Sequence, residues 1–184
     1  MLIALSIESL REWRADQNLV REARATIARE IGDNKRDVDS VIAHAMTRHK
    51  NLETALQLAN DLLARGTSTI DRIDLGVSLA DLSKAGWQSA ERTGALNRME
   101  YAEVQKYSRV YGLQELYDVR QQRVLDRLAA ASAIFGQDDP LKAPRGDVET
   151  FRAQVLALRA ELGFMDQFAE RLRESYEKAL KDRP

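Results

Sequence analysis

Apolar residues recur through the first 65 positions on one continuous heptad frame. With Leu10 as a and Trp13 as d, the seam reads Leu10, Trp13, Gln17, Val20, Arg24, Ile27, Ile31, Asn34, Val38, Val41, Ala45, Arg48, Leu52, Ala55, Ala59 and Leu62. Twelve of these sixteen positions are apolar and the phase never slips, so the pattern predicts one long helix packed against partners. Gly32-Asp33-Asn34 is a turn signal inside it, but a break there would reset the register. Continuity is therefore preferred, with Gly32 facing solvent. An unbroken helix over 2–65 is about 95 Å long at 1.5 Å per residue. Gly66 supplies its stop.

The pattern then changes. Ile70, Ile73, Leu75, Val77, Leu79 and Leu82 spread apolar surface over more than one face. Ser68 with Asp71 resembles a capping box, so a short helix is expected to start there, and a second to carry Trp87 and end near Gly94. Together these short helices occupy about 68–93. Asn97 followed by Glu100 is another cap signature, opening a helix over about 97–135 that Gly136 ends. This helix carries two stripes. Val110, Leu113, Tyr117, Val124, Leu128, Ala131 and Phe135 form the seam, while Tyr101, Val104, Tyr107 and Tyr111 lie roughly 100° round the axis. A helix apolar on two faces is covered on two faces, and the short helix with Trp87 is the expected cover.

GQDDPLKAPRGD, residues 136–147, reads as an exposed loop. From Asp147 as N-cap, the last helix, about 148–182, has Val148, Phe151, Val155, Leu158, Leu162, Met165, Ala169, Leu172, Tyr176 and Ala179 on one stripe. The fold class is all-α. The architecture is an elongated up-and-down bundle with a very long N-terminal helix, short middle helices and two further long helices.

Composition narrows the function. The 184 residues carry 28 Lys and Arg against 29 Asp and Glu, and the balance holds locally, with ten of each sign in 1–65 and seven of each in 148–184. A nucleic-acid partner is not expected, since phosphate binding draws on excess positive charge. Zero Cys removes thiol catalysis and Cys-ligated metal. His44 and His49, spaced by five, sit roughly 140° apart around the helix and cannot grip one metal as an i, i+4 pair could. Glu30 with Asp33, or Asp33 with Asp37, could share a cation, although solvated helix charges explain them as well. There is no phosphate loop, nucleophile elbow or zinc-binding helix motif. No catalytic residue, metal or cofactor is assigned, and the chain reads as non-enzymatic.

The N-terminus is the sharpest feature. MLIALSI is apolar at six of seven positions, and then Glu8, Arg11, Glu12 and Arg14 follow with Trp13 among them. Seven residues cannot cross a bilayer, which needs about 20 as helix. Residues 1–10 either pack at the end of the bundle or form the end of a membrane anchor whose upstream part is missing, with 11–184 as the bundle domain. In the second reading Trp13, Arg11 and Arg14 are an interface anchor. The segment LIALSIESLREWR resembles the membrane exit of an uncharacterised family of small bacterial single-pass membrane proteins. WQSAERTGAL, from Trp87 to Leu96, with Tyr101, Tyr107 and Tyr111, is similar to that family's Trp, Gly-turn and paired-Tyr region. The resemblance implies an inner-membrane location with a helical domain on the periplasmic side. It implies no reaction or ligand.

Three roles follow as expectations. The first is a structural or protein-interaction module held at the lipid bilayer through its N-terminus. The second is a ligand-sensing bundle, with Trp87, Tyr101, Tyr107 and Tyr111 lining a pocket and Arg109 at its rim. The third is a cytoplasmic coiled-coil scaffold. Polar seam residues either fix register or lie wet, and Gln17 and Arg24 are assigned to a wet stalk beyond the bundle. Such a stalk would expose Val20, Ile27 and Ile31 and so drive self-association.

Overall fold

The computed structural model describes the backbone of residues 2–135 and 139–181, and the side chains of Glu8 and of residues 10–135 and 139–181. The helices are α1 (Leu2–Ala43), α2 (Ala45–Arg65), α3 (Ala85–Arg92), α4 (Tyr101–Phe135) and α5 (Arg145–Lys181). They pack as an all-α bundle in which α5 lies against α4, α2 and α1.

Together α1 and α2 make one long bent helix. It passes through Gly32-Asp33-Asn34 without interruption, as the constant register requires, and bends instead at His44. There the Val41 carbonyl accepts from His44 N at 3.3 Å and from Arg48 Nη1 at 2.7 Å, so a side chain has entered the helical ladder. Gly66 ends α2 in the left-handed region (φ 70°), its N–H bonded to the Leu62 carbonyl. A side chain would be strained in that conformation, which glycine adopts freely. The heptad seam is buried or half-buried from Val20 to Leu62, polar Asn34 and Arg48 included.

Three expectations need correction. Residues 67–84 contain no helix and run as an irregular strap along the bundle. Ser68 Oγ accepts from Ile70 N two residues on and donates to Asp61, so it makes a local turn and not a helix cap. The signal was present in Ile73, Leu75 and Val77, whose spacing of two is that of extended chain; all three are half-buried, while Asp74 and Gly76 between them are exposed.

The second correction concerns the stalk. Val20, Ile27 and Ile31 are buried; α5, α3 and the 3-10 turn Leu96–Arg98 pack along α1, and Glu103 near the start of α4 reaches Arg24. Gln17 is exposed as expected, but Arg24 is half-buried and bonds Glu103 through Nε at 2.8 Å and Nη2 at 2.7 Å, and Asp16 pairs with Arg98 at 2.7 Å. Self-association through an exposed stalk loses its basis.

Thirdly, helix starts differ. Met99 is extended, so the 3-10 turn at Asn97 stays separate and α4 begins at Tyr101. Helix α5 begins after Pro144, with Asp147 in its first turn near the positive end of the helix dipole. Its ten expected stripe residues are its ten buried ones. The expected stop at Gly136 and the last position of the final helix, Asp182, lie outside the described residues.

Candidate functional site

An irregular strap laid on helices must satisfy its backbone donors and acceptors without a ladder of its own. Side-chain amides do this. Gln121 of α4 accepts from Ala80 N at 2.7 Å and donates to Ala80 O at 3.0 Å. Asn34 of α1 accepts from Ser83 N at 2.9 Å and donates to Ser83 O at 2.7 Å, and Gln114 donates to the same carbonyl at 3.0 Å. Gln121 and Asn34 each mimic the donor and acceptor pair of a neighbouring strand.

Glu30 completes the anchorage. Its Oε2 accepts from Ser83 Oγ and Gly86 N, both at 2.7 Å, while Oε1 accepts from the Tyr111 hydroxyl at 2.6 Å and Trp87 N at 3.3 Å. The carboxylate thus caps the first turn of α3 from another helix, where orphan N–H groups and the helix dipole favour negative charge. Four donors match the four lone-pair sites of a carboxylate. Gly86 permits the approach, since a Cβ there would stand 3.1 Å from Thr26 Cγ2 and 3.2 Å from Glu30 Oε1. Gln114 Oε1 extends the network by accepting from Asn34 at 3.1 Å and from the Tyr176 hydroxyl at 2.9 Å.

Burial raises the phenols of Tyr111 and Tyr176 above their ordinary range; in Tyr111 the bond to Glu30 adds to it. Both phenols act as hydrogen-bond donors. Burial also raises the carboxyl of Asp118, opposed by the nearby Lys84 charge and by Gln121. A raised folded-state pKa adds stability below the unfolded value, about 4, and that stability is lost as pH rises through the folded value. Asp118→Asn is therefore expected to melt above the parent at neutral pH. The difference should shrink toward zero in acid; a gain that does not depend on pH would contradict the assignment.

The aromatic residues separate into two environments. Trp87 stacks on Tyr111 with ring centroids 5.3 Å apart and planes at 24°, leaving no room for a molecule between them. Tyr107, one turn earlier, is buried and has Lys106 Nζ over its ring at 5.2 Å. Tyr101 is 75% exposed, its hydroxyl accepting from Gln105, and Arg109 is exposed. Thus α3 covers the second stripe of α4 at Tyr111, while Tyr101 and Arg109 are exposed.

At the other candidate, Trp13 is 59% exposed, and Leu10, Arg11 and Arg14 are exposed beside it. The side chains of residues 1–7, which carry the expected anchor, lie outside the described residues. No described helix is long and apolar enough to cross a membrane. His44 is exposed at the bend, its Nδ1 2.7 Å from the Ser40 carbonyl, and His49 Nε2 lies 2.7 Å from Asp166.

The chain matches no protein-family model, and neither a curated protein nor a solved structure is detectably similar to it. The sequence offers Glu30 only as half of a cation pair with Asp33. Two of its four partners are backbone N–H groups 56 and 57 residues away, which leave no residue-type signature.

Proposed function

We propose that the chain is a non-enzymatic helical bundle held close to a bilayer, working as a structural or protein-interaction module of the bacterial envelope. The observation that carries this reading is the exposure of Trp13 on α1, with Leu10, Arg11 and Arg14 around it. Tryptophan flanked by arginine, on a helix continuous with the apolar run Leu2 to Ile7, has the chemistry of a membrane interface. The likeness of LIALSIESLREWR to the single-pass family supports the same place, the inner membrane, with the bundle on its periplasmic side. The sensor reading has less support, because Trp87 and Tyr111 occupy each other's faces and the Tyr111 hydroxyl is already bonded.

The two tryptophans make the test direct. In vesicles containing brominated lipid, the variant Trp87→Phe, which keeps Trp13, should lose much of its fluorescence. Trp13→Phe, which keeps the half-buried Trp87, should not. Equal fluorescence of Trp87→Phe in brominated and plain vesicles would sink the proposal.

A further inference from the structure

Arg24 and Arg48 use the same guanidinium fork differently. Arg24 closes both halves of it on one carboxylate, Nε and Nη2 donating to Glu103 at 2.8 and 2.7 Å. Arg48 closes only one half. Its Nη2 donates to Asp166 Oδ1 at 2.7 Å, but Oδ2 lies 2.7 Å from His49 Nε2, so the second oxygen is held away from Nε. The Arg48 Nε–H is enclosed and meets no hydrogen-bond partner among the described residues. The same is true of the Tyr117 hydroxyl, on a residue with 0% exposure. An enclosed donor without an acceptor is costly, so native chains meet it with a protein group or an ordered water. The two groups also share one region of the bundle. Gln114 bonds Tyr176 and Arg48 bonds Asp166, which sets the inward-facing Tyr117, three residues after Gln114, beside α5 between those two ties. Burial pushes the Tyr117 phenol up and keeps it an O–H, while the nearby Arg48 charge opposes this and Asp166 adds to it.

We propose that Arg48, Asp166 and Tyr117 bind one structural water at the bend, which accepts from Arg48 Nε–H, donates to Asp166 Oδ1 and bonds the Tyr117 hydroxyl. The chemistry of the three groups fits. In a planar guanidinium, Nε–H and the Nη2–H on the same edge point one way, as they do toward Glu103 in Arg24. An acceptor on Arg48 Nε therefore stands beside Asp166 Oδ1. A carboxylate offers about four acceptor sites, and Asp166 uses two of them, on Arg48 and His49. Three polar partners are about the usual complement of a buried water. A chloride ion fits less well, because Asp166 already balances Arg48 and would repel a second negative charge. The position gives the water a structural role. Arg48 ties α2 to the Val41 carbonyl of α1 and to α5, and the water carries the same tie to α4.

A crystal structure of the full chain, at a resolution that orders solvent, tests this directly. It should show one oxygen within about 3 Å of Arg48 Nε, Asp166 Oδ1 and Tyr117 Oη. Asp166 closing on both Nε and Nη2, or the phenol bonded straight to Arg48, would overturn the proposal. A peak with the anomalous signal of chloride would overturn it too. Solution stability gives an independent reading. Tyr117→Phe keeps the ring and removes only the hydroxyl, and should lower the melting temperature by about 2–5 °C through loss of the bridge. A variant that melts with the parent or above it would show that the hydroxyl had no partner to lose, and the water site would fall with it.

Discussion

Glu30→Ala should lower stability by roughly 3–5 kcal/mol, a loss of about 10 °C in melting temperature for a chain of this size. The magnitude comes from what is stranded. Ser83 Oγ, Gly86 N, Trp87 N and the Tyr111 hydroxyl all donate to this one carboxylate, and Glu30 itself is 9% exposed. Alanine leaves buried donors without an acceptor and the first turn of α3 without its cap. Graded variants separate the contributions. Tyr111→Phe removes one donor and should cost about 1–2 kcal/mol. Glu30→Gln keeps the volume but turns an NH2 toward donors, so it should fall between the two. A second readout is local. The strap and α3 should become sensitive to protease in Glu30→Ala at temperatures where α4 and α5 remain protected. A melting temperature within about 2 °C of the parent, or destabilisation with the strap still protected, would show that Glu30 does not hold this segment.

That prediction depends on contacts which periodicity does not encode, and the contrast locates the limit of reading this chain. Helix α5 was legible residue by residue, because its stripe needs only one apolar partner surface at each turn. The long helix was legible in register from Val20 to Leu62 for the same reason. Asn34 and Arg48 stood out as polar intrusions in that seam, and both are buried. Their partners, Ser83 and Asp166, lie 49 and 118 residues away and carry no spacing that marks them. At the strap, the capping signal of Ser68 competes with the spacing of two at Ile73, Leu75 and Val77, and the chain follows the latter. The covered state of Val20 and Ile27 was missed because helix lengths alone cannot tell that the 3-10 turn and α4 fold back to meet Asp16 and Arg24. Of the candidate site residues, Trp87 is legible as a cover for the tyrosine stripe, since it stacks on Tyr111. Glu30 is not, since its four donors, two main-chain and two side-chain hydroxyl, lie 53 to 81 residues away with no spacing that marks them.

Arg48→Met tests the other long-range tie, at the bend, and should cost about 3–4 kcal/mol, the range for breaking a buried ion pair from one side. Arg48 is 4% exposed and ties α2 to α1 and α5. Its Nη1 donates at 2.7 Å to the Val41 carbonyl at the bend, and its Nη2 donates at 2.7 Å to Asp166 Oδ1 on α5. Asp166 Oδ2 is in turn 2.7 Å from His49 Nε2, so one carboxylate fastens consecutive residues of α2. Methionine fills most of the space with an apolar chain but strands Asp166, 22% exposed, against a single remaining partner. The double variant Arg48→Met with Asp166→Leu removes the stranded charge as well. It should recover half or more of the loss, because a well-packed apolar pair often equals a buried ion pair. The bend should then be held by packing alone, and the coupling between the two positions, read from a double-mutant cycle, should exceed about 1 kcal/mol. Additive losses would mean that the two side chains act separately, with Arg48 working through the Val41 carbonyl and not through α5.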